Sequence, residues 1–312
     1  METSNRQITF TPDLFEPVQR SSEDAERITG APTGFWGDAW RRLKRNRLAV
    51  AAGGIIILIL VLAVAGPWLT PYTPFGQVLD RQYQAPSLSG FWFGTDEFGR
   101  SMFDRVWVGT RVSLYIAALA TAMDIGVGMT YGAISAYYGG KLDNVMQRFV
   151  EILVGIPILV VAVLIMLVLK PGILSLSIAI GATGWTSTAR LIRGQVLRLK
   201  EQEFFLASRS LGAGTFRLIA KHLIPNVFYI VIIALMYTVP TAVFFEAFLS
   251  FIGLGIQPPN ASLGALINDG AHQMRYYPYL LIFPAAVLVL ITINFRLLGD
   301  GLRDALDPKM RK

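Results

Sequence analysis

Residues 48–69 read LAVAAGGIIILILVLAVAGPWL, with no charged side chain anywhere in the run. At ~1.5 Å per helical residue such a run crosses a hydrocarbon core of ~30 Å, so this stretch decides for a membrane-spanning helix. It starts 47 residues into the chain and has no small-x-small cleavage pattern at a suitable place, so it reads as a retained span, not a cleaved signal. Further apolar runs follow. Val112–Tyr138 is interrupted by Asp124 alone, and Ile152–Leu169 is charge-free, its helix expected from about Val145. Gly172–Ala189 comes after a Lys170-Pro171-Gly172 turn, then Val227–Phe245 and Tyr276–Phe295. The expectation is an all-α polytopic protein with six transmembrane helices. The Gly172–Ala189 run is the most polar, but small residues suit close packing inside a helix bundle.

Composition agrees. Of 312 residues 53% are hydrophobic and 16% charged, and the mean hydropathy is +0.49. That excludes a disordered chain, which needs few apolar residues and much charge, and argues against a soluble enzyme. No cysteine is present, which excludes disulfides, thiolate metal sites and cysteine nucleophiles. Two histidines leave almost no room for a histidine metal centre. The net charge of +7 is read as loop charge, not as a nucleic-acid footprint. No G-x-x-x-x-G-K-[S/T], H-E-x-x-H or G-x-S-x-G occurs, and Gly212-Ala213-Gly214 lacks the rest of a dinucleotide fingerprint. An enzyme reading has little to stand on.

Lys and Arg residues give the expected orientation. In a six-span arrangement 22 of the 28 fall on one side, in residues 1–47, 139–148, 190–225 and the tail from Arg296. The positive-inside rule puts that side, with both termini, in the cytoplasm. Residues 1–34 are polar and mixed in charge, a flexible cytoplasmic segment by composition. Phe35, Trp36, Trp40 and Leu43 then recur near helical spacing among basic residues, as in a helix lying on the inner membrane surface. The expected organisation is an interfacial helix and first span over 35–70, and an extracytoplasmic loop over 71–108. A five-helix core over 109–299 holds a cytoplasmic loop at 190–226, and 300–312 form a cytoplasmic tail.

The 190–226 loop carries the signal. Glu203 to Leu211 suits a short helix ended by Gly212, Phe216 to His222 suits a second, and Pro225 marks entry to the next span. A helix–Gly–helix with an apolar stripe and basic edges is shaped to dock on another protein. The loop resembles the EAA loop of ABC importer permeases, E-A-A, three residues, Gly, nine residues, I-x-L-P. On this chain those places are Leu206, Ala207 and Ser208, then Gly212, then His222, Ile224 and Pro225. Leu206 replaces the family's Glu and Ser208 its second Ala; Glu203 lies one turn earlier.

Other stretches narrow the resemblance. Phe93-Gly94-Thr95-Asp96-Glu97-Phe98-Gly99-Arg100-Ser101 is similar to the F-G-T-D-x-x-G-R-D of the dipeptide/oligopeptide/nickel subfamily, with Ser101 at the last Asp. Gly109 to Leu114 resembles G-A-R-x-S-L. Glu246 to Gly255 resembles E-A-x-L-S-F-L-G-L-G, and Gly299 to Pro308 resembles the subfamily's C-terminal sequence. Together they cover the chain from about residue 35 onward, most like the C-type membrane subunit of an oligopeptide permease.

The resemblance implies a type I importer permease fold with one extra N-terminal helix, in a bacterial cell membrane. It implies half of a pathway for oligopeptides or dipeptides, with a homologous second permease, two cytoplasmic ABC ATPases and an extracytoplasmic peptide-binding protein. ATP and Mg are expected on the ATPases, with no cofactor on this chain. Glu203, Leu206, Ala207, Ser208, Arg209, Gly212, Ala213 and Pro225 would form the ATPase-coupling loop. Gly94, Thr95, Asp96, Gly99 and Arg100 form the external loop motif, with Arg100 and Asp96 expected to pair locally. A nickel importer of the same subfamily is the alternative, and a proton-coupled secondary transporter and a membrane scaffold are the rivals from other classes.

Asp124 and Glu246 are the deepest charges in the expected spans. Intramembrane carboxylates are costly and face a cavity or a partner group. Both are therefore candidates for the path or a gate, against helix-to-helix contacts as the alternative; Asp124 is expected to pack toward the partner permease. Arg148 and Glu151 are spaced to pair on one helix face. Tyr276, Tyr277 and Tyr279, like Tyr137 and Tyr138, are placed as interfacial aromatics.

Overall fold

The computed structural model describes residues 34–88 and 90–306. The expected flexible segment therefore lies outside the described residues except for residue 34, as do residues 307–312 of the expected tail. Two compact units are distinguished, Met1–Asp38 and Ala39–Lys312. Of the first, only the opening turn of a helix is described. The second holds everything else.

Helix α1 spans Phe35–Arg45, as its apolar spacing predicts, and Asn46 caps α2 (Arg47–Ala65) by accepting the Ala49 N–H at 3.1 Å. Helix α3 (Met102–Tyr138) runs 37 residues, ~55 Å at ~1.5 Å per residue, so it exceeds a ~30 Å core and projects beyond it. A turn through Gly139 (φ 67°) and Gly140 (φ 58°) leads into α4 (Gly140–Gly155), followed by α5 (Ile158–Leu169). Helices α6 (Ile173–Lys200) and α7 (Glu203–Ser210) precede α8 (Thr215–Phe251). A short helix α9 (Leu263–Gln273), capped by Ser262, and a long α10 (Tyr279–Leu306) complete the described chain.

Among the described residues four helices are long and apolar enough to cross a membrane, α2, α3, α8 and α10; α4 with α5 makes a fifth if they form one broken span. The break replaces the single helix expected over Ile152–Leu169. It falls at Ile156-Pro157 and bends the pair by 83°. Proline disfavours the helical conformation of the residue before it, and Ile156 is extended (ψ 126°). The expected Gly172–Ala189 span lies within α6, whose serines, threonines and basic end leave it short of the apolarity of the other four. It packs along α3 in the most extensive helix pair of the molecule. Gly128 on α3 makes that approach possible, because a Cβ there would lie 2.7 Å from the Thr188 side chain and 2.8 Å from the Trp185 carbonyl oxygen.

Three expected boundaries move. Helix α3 begins at Met102, inside the loop read as 71–108, because Ser101 caps it and Phe103, Val106 and Trp107 are buried. Helix α10 continues past residue 299 because Gly301, Ala305 and Leu306 are buried; Ala305 packs with Leu43 and Ala49. The loop read as 190–226 shrinks from both ends as α6 runs to Lys200 and α8 starts at Thr215. The separate helix expected over Phe216–His222 is instead the start of α8, joined through a π-helical turn at Leu218–Leu223. Pro225 lies in the first α-helical turn after it, where a missing N–H costs least. Most of the apolar core lies among α2, α3, α6, α8 and α10, and a second cluster sits beneath α7.

Candidate functional site: a docking surface and a central cavity

The docking surface is built on α7. Its helix closes on Gly212, whose φ of +80° suits glycine. Ala213 N–H donates to Ser208 O at 3.2 Å and Gly212 N–H to Arg209 O at 3.0 Å, the paired bonds of a Schellman end. Phe205 is 1% exposed and belongs to one buried apolar cluster with Ala136, Ile192, Val196, Leu218 and Val227, which joins α7 to α3, α6 and α8. The residues around it face out. Glu203, Leu206, Ala207, Arg209, Gly212 and Pro225 are exposed; Ser208 and Ala213 are half-buried. Leu211 and Phe216 are 88% and 84% exposed, and the sequence reading did not single them out. Large apolar side chains so bare, with polar residues around them, mark an interaction surface.

Polar contacts brace this surface. Lys200 Nζ donates to the Ala136 and Tyr137 carbonyls at 2.8 Å each, a cation on the C-terminal end of α3. Burial pushes the Lys200 ammonium below its ordinary pKa, with the Arg209 charge adding to this and Asp143 opposing it. Arg193 Nε donates to Asp143 Oδ1 at 2.7 Å, tying α6 to α4, and Tyr137 Oη donates to Thr215 Oγ1 at 3.0 Å. None of these pairs was legible from spacing, because each joins residues far apart in the chain.

A cavity of about 540 Å³ opens among α3, the α4–α5 break, α6 and α8. Asp124, Pro157, Gly184, Arg190, Tyr237 and Thr241 contribute to its lining. Asp124 is 6% exposed, and its Oδ1 has no hydrogen-bond partner. Gly184 on α6 leaves room for this carboxylate, since a Cβ there would stand 3.3 Å from Asp124 Oδ2. Asp124 thus faces a cavity within this chain.

Glu246, its companion in the sequence reading, does not line that cavity. It is fully buried between helices. Ser113 Oγ donates to Oε2 at 2.6 Å and Ser250 Oγ to Oε1 at 2.8 Å, while Ser113 Oγ accepts the Leu263 N–H at 3.0 Å. Two motif stretches read separately, around Ser113 and around Glu246, are therefore one network joining α3, α8 and α9.

The external motif forms a turn at the other end of α3. Asp96 Oδ1 accepts the N–H groups of Phe98 and Arg100 at 2.9 Å each, and Arg100 Nε donates to Oδ2 at 2.6 Å, the expected local pair. Gly94 (φ 76°) and Gly99 (φ 70°) make the turns. Thr95 accepts the Gln84 N–H on its hydroxyl and the Tyr279 hydroxyl on its carbonyl. Tyr277 stacks on Tyr83 at 4.1 Å, so Tyr277 and Tyr279, expected as interfacial aromatics, also clamp the loop. Tyr276 stays 72% exposed. The Arg148–Glu151 pair forms at 2.8 Å on an exposed face. Arg111, not singled out earlier, donates to the Ala63 and Val64 carbonyls and closes the end of α2.

Comparison with known proteins places this architecture. Residues 128–312 match the family described as binding-protein-dependent transport system inner membrane component, and residues 34–86 match the N-terminal transmembrane domain of oligopeptide transport permease C. The dipeptide transport system permease protein DppC of Bacillus subtilis (strain 168) is 44% identical, covering 94% of this chain and 92% of its own. The oligopeptide transport system permease protein OppC of the same strain is 43% identical, over 96% and 98%. Among solved structures, an inward-facing MetNI methionine ABC transporter aligns with a TM-score of 0.52 at 18% identity, covering 64% of this chain and 94% of its own, a likeness of fold. The chain belongs to the binding-protein-dependent transport system inner membrane component family, the multi-pass permease subunits of ABC importers, and is not itself an enzyme.

Proposed function

We propose that this chain forms half of a peptide translocation path and takes its driving motion from ATPases docked on α7. The exposed surface of Leu206, Leu211, Gly212 and Phe216, held to three helices by the one buried ring of Phe205, carries this reading. A docked subunit that pulls on α7 pulls on α3, α6 and α8 together, and the same three helices wall the cavity at Asp124. The helix bundle then alternates between inward and outward openings as far as ligand contacts differ between the two states. ABC importer permeases work with ATPase and binding-protein partners in general. For this chain the full set is a homologous second permease, two ABC ATPases that carry ATP and Mg, and an extracytoplasmic peptide-binding protein. The surrounding membrane is a bacterial inner membrane, with both termini and α7 on the cytoplasmic side, a reading supported by the Lys and Arg distribution.

Dipeptides or oligopeptides are the proposed cargo. The relatives above are named for dipeptide and oligopeptide transport, which does not favour nickel. The cavity suits them: its lining is mainly apolar with few charges, so it selects little by side chain. The test is uptake of a labelled mixed peptide pool into proteoliposomes holding the assembled transporter. Uptake that needs internal or external ATP on the α7 side, and no proton gradient, is expected. Uptake driven by a proton gradient without ATP overturns the reading in favour of a secondary transporter.

A further inference from the structure

From Ala39 onward, helix α1 is packed on one side and bare on the other. Between Ala39 and Arg47 the sequence holds five basic residues and no acid. Ala39 and Leu43 are buried, and Leu43 clusters with Ala49 of α2 and Ala305 of α10, so α1 is seated on the ends of two long helices. Asn46 N–H donates to Leu43 O at 3.0 Å, and the Asn46 side chain caps α2, which fixes where one helix stops and the next begins.

The bare side is ordered around the helix. Residues four apart share a face. Ala39 and Leu43 make the packed stripe, Trp40 and Lys44 the next, and Arg41 and Arg45 the one beyond. Trp40 is 58% exposed, and Lys44 Nζ stands 5.1 Å from the centre of its ring. Arg41, Lys44, Arg45 and Arg47 are exposed, and among the described residues none of the four is in an ion pair. Like charges this close repel one another and draw in anions. Helix α2 begins at Arg47 and is long and apolar enough to span, so these residues lie where hydrocarbon gives way to headgroups. A tryptophan sits well at that level, and Lys and Arg lay their stems on apolar surface while their charged ends reach outward. A soluble acidic partner would match the cations but not a tryptophan at the membrane boundary.

We propose that this face of α1 binds anionic phospholipid headgroups, with Trp40 in the interface and Arg41, Lys44, Arg45 and Arg47 on the phosphates. Juxtamembrane clusters of basic residues are drawn to lipids of net negative charge. A zwitterionic headgroup offers the same phosphate but sets a cation beside it, so it satisfies the cluster less well. Because α1 is seated on the ends of α2 and α10, lipid that holds α1 holds both of those ends at the membrane surface. Neither the peptide cargo nor the ATPase surface at α7 enters into this contact.

The test uses the full-length chain with a fluorophore on Leu48→Cys, an exposed position beside the cluster in a protein with no other cysteine. It is placed in phosphatidylcholine nanodiscs that contain a minor share of brominated lipid, either phosphatidylglycerol or phosphatidylcholine with the same acyl chains. Bromine quenches the fluorophore at short range, so the ratio of quenching reads which lipid gathers at α1. The anionic lipid is expected to associate about fivefold or more strongly, the worth of roughly one basic contact at a charged membrane surface. Arg41→Gln with Lys44→Gln and Arg45→Gln should bring the ratio close to one. Lys141→Gln with Arg217→Gln and Lys221→Gln, which removes three exposed cations elsewhere, should leave it unchanged. Salt that shortens the screening length to ~3 Å should also bring the wild-type ratio close to one. A wild-type ratio near one at low salt overturns the proposal. So does an equal fall in both triple variants, which would assign the preference to total charge and not to α1. A fall on adding soluble inorganic phosphate at constant ionic strength overturns it in favour of free anions. If the first triple variant aggregates, the salt dependence decides, and a ratio that salt does not move overturns the proposal.

Discussion

Glu246 and Asp124 are both buried carboxylates in long helices, yet their surroundings assign them different work. Glu246 accepts from Ser113 and Ser250 and is fully buried, so its removal orphans two hydroxyls in the core. Glu246→Ala is expected to destabilise the chain by about 1–3 kcal/mol, read as a lower Tm of the detergent-solubilised protein. Glu246→Gln keeps the volume and most of the bonding and should lose less. A Tm unchanged in the alanine variant would show that the network contributes nothing. Asp124 differs because one of its oxygens is buried without a partner. Removing a buried charge that is poorly compensated does not weaken a fold and often strengthens it. Asp124→Asn is therefore expected to leave Tm equal or higher while slowing ATP-driven uptake several-fold, since the carboxylate faces the cavity. Normal uptake with normal assembly would remove Asp124 from the path. The sequence marked both residues by the same rule, that charge inside a span needs a reason. It held no means of separating them, because the separation comes from Ser113, far away in the chain, and from Gly184 on α6.

Helix α7 is eight residues long, too short to persist by its own propensity. Phe205 supplies what propensity does not, an apolar anchor in a pocket shared by α3, α6 and α8. Phe205→Ala is expected to release α7 while the spans stay folded, because truncating a buried phenylalanine costs about 3–5 kcal/mol and the loss falls on one short element. Limited proteolysis should then cut between 201 and 214 well before the wild type is cut there, with unchanged helical circular dichroism. Equal proteolysis would mean that the loop is held by other contacts. The existence of this helix and its glycine stop were legible, since Gly212 follows a helical stretch and only a left-handed residue closes it in that way. The continuity of α8 through Pro225 was not. A proline after a basic, His-containing stretch reads as a boundary, and only the wider turn at Leu218–Leu223 shows how the helix passes it. The break at Ile156-Pro157 is the reverse case. The apolar run hid it, although the proline was there to be read.

For the whole molecule, the apolar runs made the class of fold legible. Of the six spans expected, four helices among the described residues meet the length and apolarity requirement alone and a fifth does so as a bent pair, while α6, which holds the remaining run, packs along α3. The placement of the docking surface and the external motif near opposite ends of α3 was also hidden, since it depends on α3 projecting beyond the membrane core. A chain without cysteine makes that placement directly testable. Leu88 and Leu211 are 96% and 88% exposed. A membrane-impermeant maleimide should label Leu88→Cys in whole cells, and Leu211→Cys only in inside-out vesicles prepared without the ATPase subunits. Labelling of both from one side would refute the orientation. The claim on which the account turns is that ATPases sit on α7, and Leu211→Cys tests it most directly. The measurement is its alkylation rate in proteoliposomes that retain peptide uptake, with and without the ATPase subunits. The account predicts at least several-fold protection when they are present, with Leu88→Cys labelled at the same rate in both. Equal labelling of Leu211→Cys with active ATPases bound would contradict it.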